Sequence, residues 1–503
     1  MPYVRMPTFD RRAFLFGAAR GAKLLAARKL LQTAPLLGLT VLSRAAGQAN
    51  EPLVSPPEIR SRDGILEATI TAACAPVRLG DHEFAGMLYN GSYMPATLRA
   101  RLGDTLRITF RNDLIDHPPP DDPRYVGPLC TGPGTPSNLH YHGMSVSPRG
   151  NSDNVFVHVH PGESFQYEVR IPAAGRQGPG LYWYHPHAHG YVDNQILGGM
   201  SGALVIDGFE ELYPLLRGLP ELYLLIKHAK VGDDQLVSIN GQVNPLIAIR
   251  PGEMQFWRIA HIGASLFIKL HIEGMALYVI ATDGHALSQP RKISEFLIGP
   301  GERIEAIAVG PPPGEYAMRT ISFQNEAWRP PEAVRDLALI VSSGAAETGD
   351  AESEILRQRV QGARWIDEVR TAPIAHRRTL VYSRTVDRQV FMIDGRTVDE
   401  DRIDQTVKLG ETEEWTVINT DQQYHSFHIH QTPFLVTEIN GAPANDGSLR
   451  DTASVAPSTG GRHGTLKALI PFTDPVIVGR FVYHCHAVDH EDKGMMGVIE
   501  VVA

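Results

Sequence analysis

The sequence predicts an all-β chain built from one β-sandwich module used three times. Three observations lead there: short runs of alternating apolar and polar residues, an ample supply of turn formers, and a turn-and-strand pattern that recurs in each third of the chain. The 503 residues suit two to four domains. At 43% hydrophobic and 20% charged the composition is globular, and no stretch reaches eighteen uninterrupted apolar residues. Glycine (47) and proline (37) run above average use, as many short strands joined by turns require.

The first block, residues 51–210, holds strand-like runs at 105–110 and 165–171. The second, 211–345, holds runs at 235–239, 254–259, 276–282 and 304–309, broken by Asn-Gly and Pro-Gly turns. Residues 346–376 are charged and poor in strand formers, so they read as a linker with one helix. The third block, 377–503, has runs at 380–382, 414–418, 434–439 and 498–502. The repeat lies in the turns. Asn90-Gly91-Ser92, Asn240-Gly241-Gln242 and Asp394-Gly395-Arg396 each precede a Gly-acid turn that enters a strand, at Gly103-Asp104, Gly252-Glu253 and Gly410-Glu411.

The formal charge of −9 conceals an asymmetry. Residues 1–50 carry eight basic side chains against Asp10, a net of +7, which leaves −16 for the remainder. So acidic a body repels phosphate backbones and argues against nucleic acid as a partner. Thr8-Phe9-Asp10-Arg11-Arg12-Ala13-Phe14-Leu15 resembles the twin-arginine export signal of bacteria, with an apolar run at 34–42 and small residues near Gly47-Gln48-Ala49. Residues 1–50 therefore read as an export signal and the protein as periplasmic or extracellular. Arg20, Lys23, Arg28 and Lys29 depart from that pattern and fit a retained basic amphipathic helix instead. Three cysteines form neither a disulfide framework nor a zinc ribbon. Cys74 and Cys130 suit a disulfide worth about 4 kcal/mol of loop entropy, or two buried thiols.

Ten of the 21 histidines fall in four clusters: His140-Tyr141-His142-Gly143, His185-Pro186-His187, His425-Ser426-Phe427-His428-Ile429-His430, and His484-Cys485-His486 with His490. Histidines at i and i+2 on a strand share a face, so each pair offers two imidazoles to one metal cluster. One such pair is ordinarily a polar strand face, and His158-Val159-His160 is read that way. Cys485, His490 and Met495 supply thiolate, imidazole and thioether within eleven residues, the donors of a blue-copper site, and His425 fits as the second imidazole. Met496 competes with Met495 for the axial place.

These residues resemble the motifs of the multicopper oxidases, of the bacterial laccase and copper-efflux-oxidase type. HxHG, HxH, HxxHxH and HCHxxxHxxxxM occur in family order from Asn90 onward. The resemblance implies three cupredoxin-like Greek-key sandwiches and four coppers per chain. A type 1 copper would sit on His425, Cys485, His490 and Met495, and a type 2 copper on His140 and His428. A type 3 pair would take His142, His185, His187, His430, His484 and His486. His189 has no ligand role in the pattern. Asp153 and Glu491 resemble the family's proton-relay acids, with a solvated surface acid as the alternative for each. Asp421 either orients His425 or is an ordinary turn residue.

The resemblance further implies an O2-reducing oxidase that takes electrons at the solvent edge of His425. Its donor would be a phenol or aromatic amine, or a metal ion such as Cu(I) or Fe(II). Only 12 methionines are present, and none cluster in the third block beyond Met495-Met496, which favours the laccase-like donors. A non-catalytic copper-binding envelope protein is the alternative of another class. A copper nitrite reductase needs fewer histidines, and no G-x-S-x-G, H-E-x-x-H or P-loop motif is present.

Overall fold

The computed structural model describes residues 50–114, 130, 134–231, 234–360, 364–444 and 447–503. The twin-arginine reading falls on residues 1–49 and lies outside them. All ten strands expected from alternation appear among the described residues, most of them one to eight residues longer than the pattern that announced them. They form six sheets, two to a module, so the chain is three cupredoxin-like sandwiches in series.

Each sandwich mixes hairpins with parallel crossover pairs. Ile65–Leu79 runs parallel to Thr105–Asn112, Glu221–Val231 to Met254–His261, and Ile374–Arg384 to Glu411–Asn419. The inward faces form three separate cores, centred on Phe110 and Tyr184, on Trp257 and Ile268, and on Trp415 and Phe427.

The recurring turn is one device used three times. Asn90-Gly91, Asn240-Gly241 and Asp394-Gly395 all take left-handed φ, 50° and 69°, 52° and 74°, 53° and 71°. Two such residues in succession make the tight turn that matches strand twist. Each turn is tied to the long strand of its own module. The side-chain oxygens of Asn90, Asn240 and Asp394 accept from the backbone N–H of Thr71, Leu225 and Val381 at 2.8, 2.9 and 2.7 Å. The glycines of the later turns, Gly103, Gly252 and Gly410, donate to Ile171, Gly310 and Phe472.

Two features differ from expectation. The connection after the second module carries two helices, Ala351–Leu356 and Arg364–Thr371, and the next strand begins at Ile374. The strand Ile65–Leu79 gave no clear signal because Ala72-Ala73-Cys74-Ala75-Pro76 is poor in strand formers. Pro76 is tolerated because the parallel pairing ends at Ala72, which leaves one side of the strand open there. Cys74 and Cys130 form a disulfide across a separation of 56 residues, so the two-thiol alternative does not hold.

Candidate metal centre

Local backbone design explains how the histidines converge. The strand His140–His142 pairs antiparallel with Gly180–His185, setting His140 opposite His185. The strand His425–Ile429 pairs with Gly479–Cys485, setting His428 opposite His484 and Phe427 opposite Cys485. Alternation then splits the His-Cys-His triplet. Cys485 turns into the third core beside Phe427 and Trp415, while His484 and His486 face the first module. Gly143 follows with φ 83°, where a Cβ would run into Arg303 and Asp451.

Side-chain donors gather in two places. In one, His425 Nδ1 and His490 Nδ1 lie 3.4 and 3.5 Å from Cys485 Sγ. Met495 is buried in the same core cluster as Cys485, whereas Met496 points into a separate cluster with Val155 and Val498. Of the two neighbours, Met495 is thus the one that shares a cluster with Cys485. The backbone N–H of Ser426 also points at Cys485 Sγ, 3.4 Å away. Burial pushes the Cys485 thiol up to about 12, so a thiolate here requires a cation beside it.

In the other place, eight imidazoles are brought together and sort into sets. His142, His185 and His486 form one triad and His187, His430 and His484 another, while His140 and His428 draw together beside His142. His484 Nε2 lies 3.3 Å from His187 Nε2 and 3.1 Å from His430 Nε2, and His486 Nε2 lies 3.1 Å from His142 Nδ1. Each triad draws on both the first and the third module, so the centre exists only where the two meet.

The chemistry of these donors fits copper. His140, His185 and His428 each commit Nδ1 to an oxygen, of Asp153 (3.0 Å), Pro186 (2.9 Å) and Asp451 (2.8 Å). Their Nε2 atoms are buried without a partner. A ring that donates one N–H to an oxygen presents a lone pair at the other nitrogen, which is how a metal-binding histidine is held. Burial also lowers the pKa of these rings, to about 3 at His187 and His484, keeping them neutral and able to bind. Imidazole and thiolate together select copper over magnesium or calcium.

Both acids lie inside the protein, not on its surface. Asp153 accepts from His140 Nδ1, from the Tyr141 N–H (3.0 Å) and from Gln431 Nε2 (2.8 Å), and burial raises its carboxyl to about 7. Glu491 sets one carboxylate oxygen 3.0 Å from His484 Nδ1 and the other 3.6 Å from His187 Nδ1, and burial again raises its pKa. Asp421 Oδ2 lies 3.4 Å from His425 Nε2, with its other oxygen 2.6 Å from Arg384 Nε, so it faces His425 rather than sitting in a free turn. His158 pairs with Glu400 at 3.3 Å and His160 is exposed.

One expectation is overturned. His425 is fully buried (0% exposed) and cannot be the solvent edge; His490, at 7%, reaches a cavity of about 860 Å3. The reason is position. His425 begins a central strand, whereas His490 lies on the short surface helix Val488–Asp492.

Sequence spacing also missed the middle module's part. Arg303 and Asp451 pair bidentately, and Asp451 Oδ1 accepts from His142 Nε2 at 2.9 Å. Asp283 accepts from the Arg303 N–H at 2.8 Å. A Cβ on Gly301 would stand 3.1 Å from His486 and 3.2 Å from His142, so the middle module abuts the rings directly. No local motif marks these residues: Asp451 reaches His142 across 309 positions, and Gly301 and Arg303 come from a module that holds none of the clustered histidines.

Three family models described as multicopper oxidase match residues 134–211, 182–345 and 372–503. A multicopper oxidase of Staphylococcus haemolyticus is 24% identical over 466 residues, covering 88% of this chain and 90% of its own. A laccase of Bacillus stratosphericus is 22% identical, covering 82% and 90%. A solved multicopper oxidase from Campylobacter jejuni, titled a metallo-oxidase, superposes with a TM-score of 0.73 at 24% identity, over 90% of this chain and 96% of its own. With matched family models flanking and spanning the histidine centre, the chain belongs to the multicopper oxidase family and is a copper-dependent oxidoreductase that uses O2.

Proposed function

We propose that the chain is a laccase-like oxidase holding four coppers. A type 1 copper takes His425, Cys485, His490 and Met495; a type 2 copper takes His140 and His428; and the type 3 pair takes His142, His185 and His486 on one ion and His187, His430 and His484 on the other. The observation that carries this reading is the gathering of two buried three-histidine sets and a Cys-His-His set, linked by the single tripeptide His484-Cys485-His486. Bound copper supplies one-electron storage at the first site and four-electron reduction of O2 at the second.

The residues do the rest. The edge of His490 meets the donor. The backbone from Cys485 to His484 and His486 gives the shortest covalent path between the sites. Asp153 at His140 Nδ1 and Glu491 at His484 Nδ1 stand where protons must enter. With a phenolic donor the balance is 4 ArOH + O2 → 4 ArO• + 2 H2O, one proton and one electron leaving each phenol. Complete burial of the histidines shields partly reduced oxygen from bulk water.

Aromatic walls around His490, from Phe267, Tyr424 and Trp328, support phenols or aromatic amines over Cu(I) or Fe(II). A cuprous or ferrous oxidase serving copper tolerance is the second reading, favoured by likeness to the Campylobacter protein. Secretion to the periplasm or beyond is supported by the Cys74–Cys130 disulfide, since such bonds persist in oxidising compartments. Oxygen uptake on adding a phenol to the copper-loaded protein tests the function. Turnover is expected, and its absence would leave a copper-binding envelope protein. Replacing Arg11 and Arg12 by lysine tests export through the loss of secreted protein.

A further inference from the structure

The cavity over His490 is positively charged in an otherwise acidic body. Six basic side chains line it against three acids. Four of the six are answered: Arg329 by Glu326 (3.0 Å), Arg335 by Glu332 (3.7 Å), Lys493 by Asp489 (3.4 Å), and Arg384 by Asp421 (2.6 Å) just outside the lining. Arg388 and Lys230 have no carboxylate within ion-pair distance among the described residues.

Arg388 is the more telling of the two. Its guanidinium carbon lies 3.9 Å from the Trp328 ring centroid, and that of Arg384 lies 4.0 Å from the same centroid. Two guanidinium groups on one indole repel each other, and Asp421 neutralises only Arg384. Arg388 is moreover held at φ 62° in the turn between Ile374–Arg384 and Phe391–Ile393, a conformation a non-glycine side chain adopts at a cost. An exposed, strained cation on an aromatic wall, in the field of Glu326 but in ion-pair contact with no carboxylate among the described residues, leaves one complement unfilled. That complement is an anionic group borne on a ring.

We propose that this cavity selects aromatic donors that carry a carboxylate or sulfonate, with the ring against the aromatic wall and the anion at Arg388 in the field of Lys230. This deepens the laccase-like reading and rests on it. The same field repels metal cations and disfavours them as donors.

The test uses the copper-loaded full chain with homovanillate and its methyl ester, which share one phenol, insulated from the carboxyl by a methylene, and differ in one negative charge. Wild type is expected to favour homovanillate by at least about fivefold in kcat/KM at low salt, chiefly through KM, as a charge-assisted contact provides. The preference should shrink as salt is raised and vanish or invert in Arg388→Glu, with Lys230→Glu intermediate. Equal use of acid and ester by wild type, or a preference that survives Arg388→Glu, overturns the proposal. A second measurement needs no turnover: calorimetric binding of veratrate, which has no phenolic hydroxyl to oxidise. Weaker binding by Arg388→Glu than by wild type supports the anion site, and no binding by wild type overturns it. Should the protein show its thiolate-to-copper band yet oxidise no phenol, the laccase-like reading falls while this titration still decides the anion site.

Discussion

Arg303 of the second module and Asp451 of the third form a fully buried bidentate pair, Nη1 to Oδ1 at 2.7 Å and Nη2 to Oδ2 at 2.8 Å. Through Asp451 Oδ1 the pair fixes His142 by its Nε2, which turns Nδ1 toward His486. The second module, which supplies none of the twelve proposed ligands, thus locks the orientation of one of them. Arg303→Lys keeps the charge but cannot reproduce the planar fork. It is expected to cost about 3 kcal/mol or more, as breaking a buried pair does. The folded fraction should lose type 2 and type 3 copper while keeping the type 1 site. Copper analysis and electron paramagnetic resonance check this, and a full copper complement in Arg303→Lys would refute the lock.

Met495 and Met496 are neighbours with opposite surroundings. A thioether stabilises Cu(II) relative to a hydrocarbon at the axial place, so Met495→Leu should raise the type 1 potential. Met496→Leu, a volume-conserving change in the cluster with Val155 and Val498, should leave it unmoved. Redox titration of both variants separates the two positions.

The Cys74–Cys130 bond closes a long loop in the first module. Chain entropy assigns such a closure about 4 kcal/mol. Cys74→Ser with Cys130→Ser should therefore lower the denaturant midpoint of the metal-free protein by a corresponding amount. Reductant should shift the wild type in the same direction and leave the double variant unchanged.

His158 of the first module faces Glu400 of the third at 3.3 Å, and this hydrogen bond raises the histidine pKa while lowering that of Glu400. A raised native histidine stabilises the fold fully below its unfolded value of about 6.5, and the contribution fades as pH rises through the native value. Glu400→Gln should therefore lower the melting temperature near pH 5.5 more than near pH 8, about the range over which histidine loses its charge. A pH-independent difference would contradict the pairing.

The sequence made much of this legible because the determinants are local. A strand face repeats every two residues, so paired histidines announce a shared face. Asn-Gly and Asp-Gly turns show because few other residues tolerate their φ. What stayed hidden is non-local. The sorting of six histidines into two triads depends on how the first and third modules meet. The roles of Arg303, Asp283 and Asp451 depend on contacts spanning more than 140 positions. The misplaced electron entry has a similar origin, since motif order does not say which imidazole lies under the surface.

Cys485 is proposed to bind one copper while its two neighbours bind the type 3 pair. The most direct measurement is the copper content and visible spectrum of the loaded protein beside those of Cys485→Ser. Four coppers and a strong thiolate-to-copper band are predicted for the wild type, with three coppers and no band for the variant. A wild type without that band, or a variant that keeps it, would rule out Cys485 as the copper thiolate.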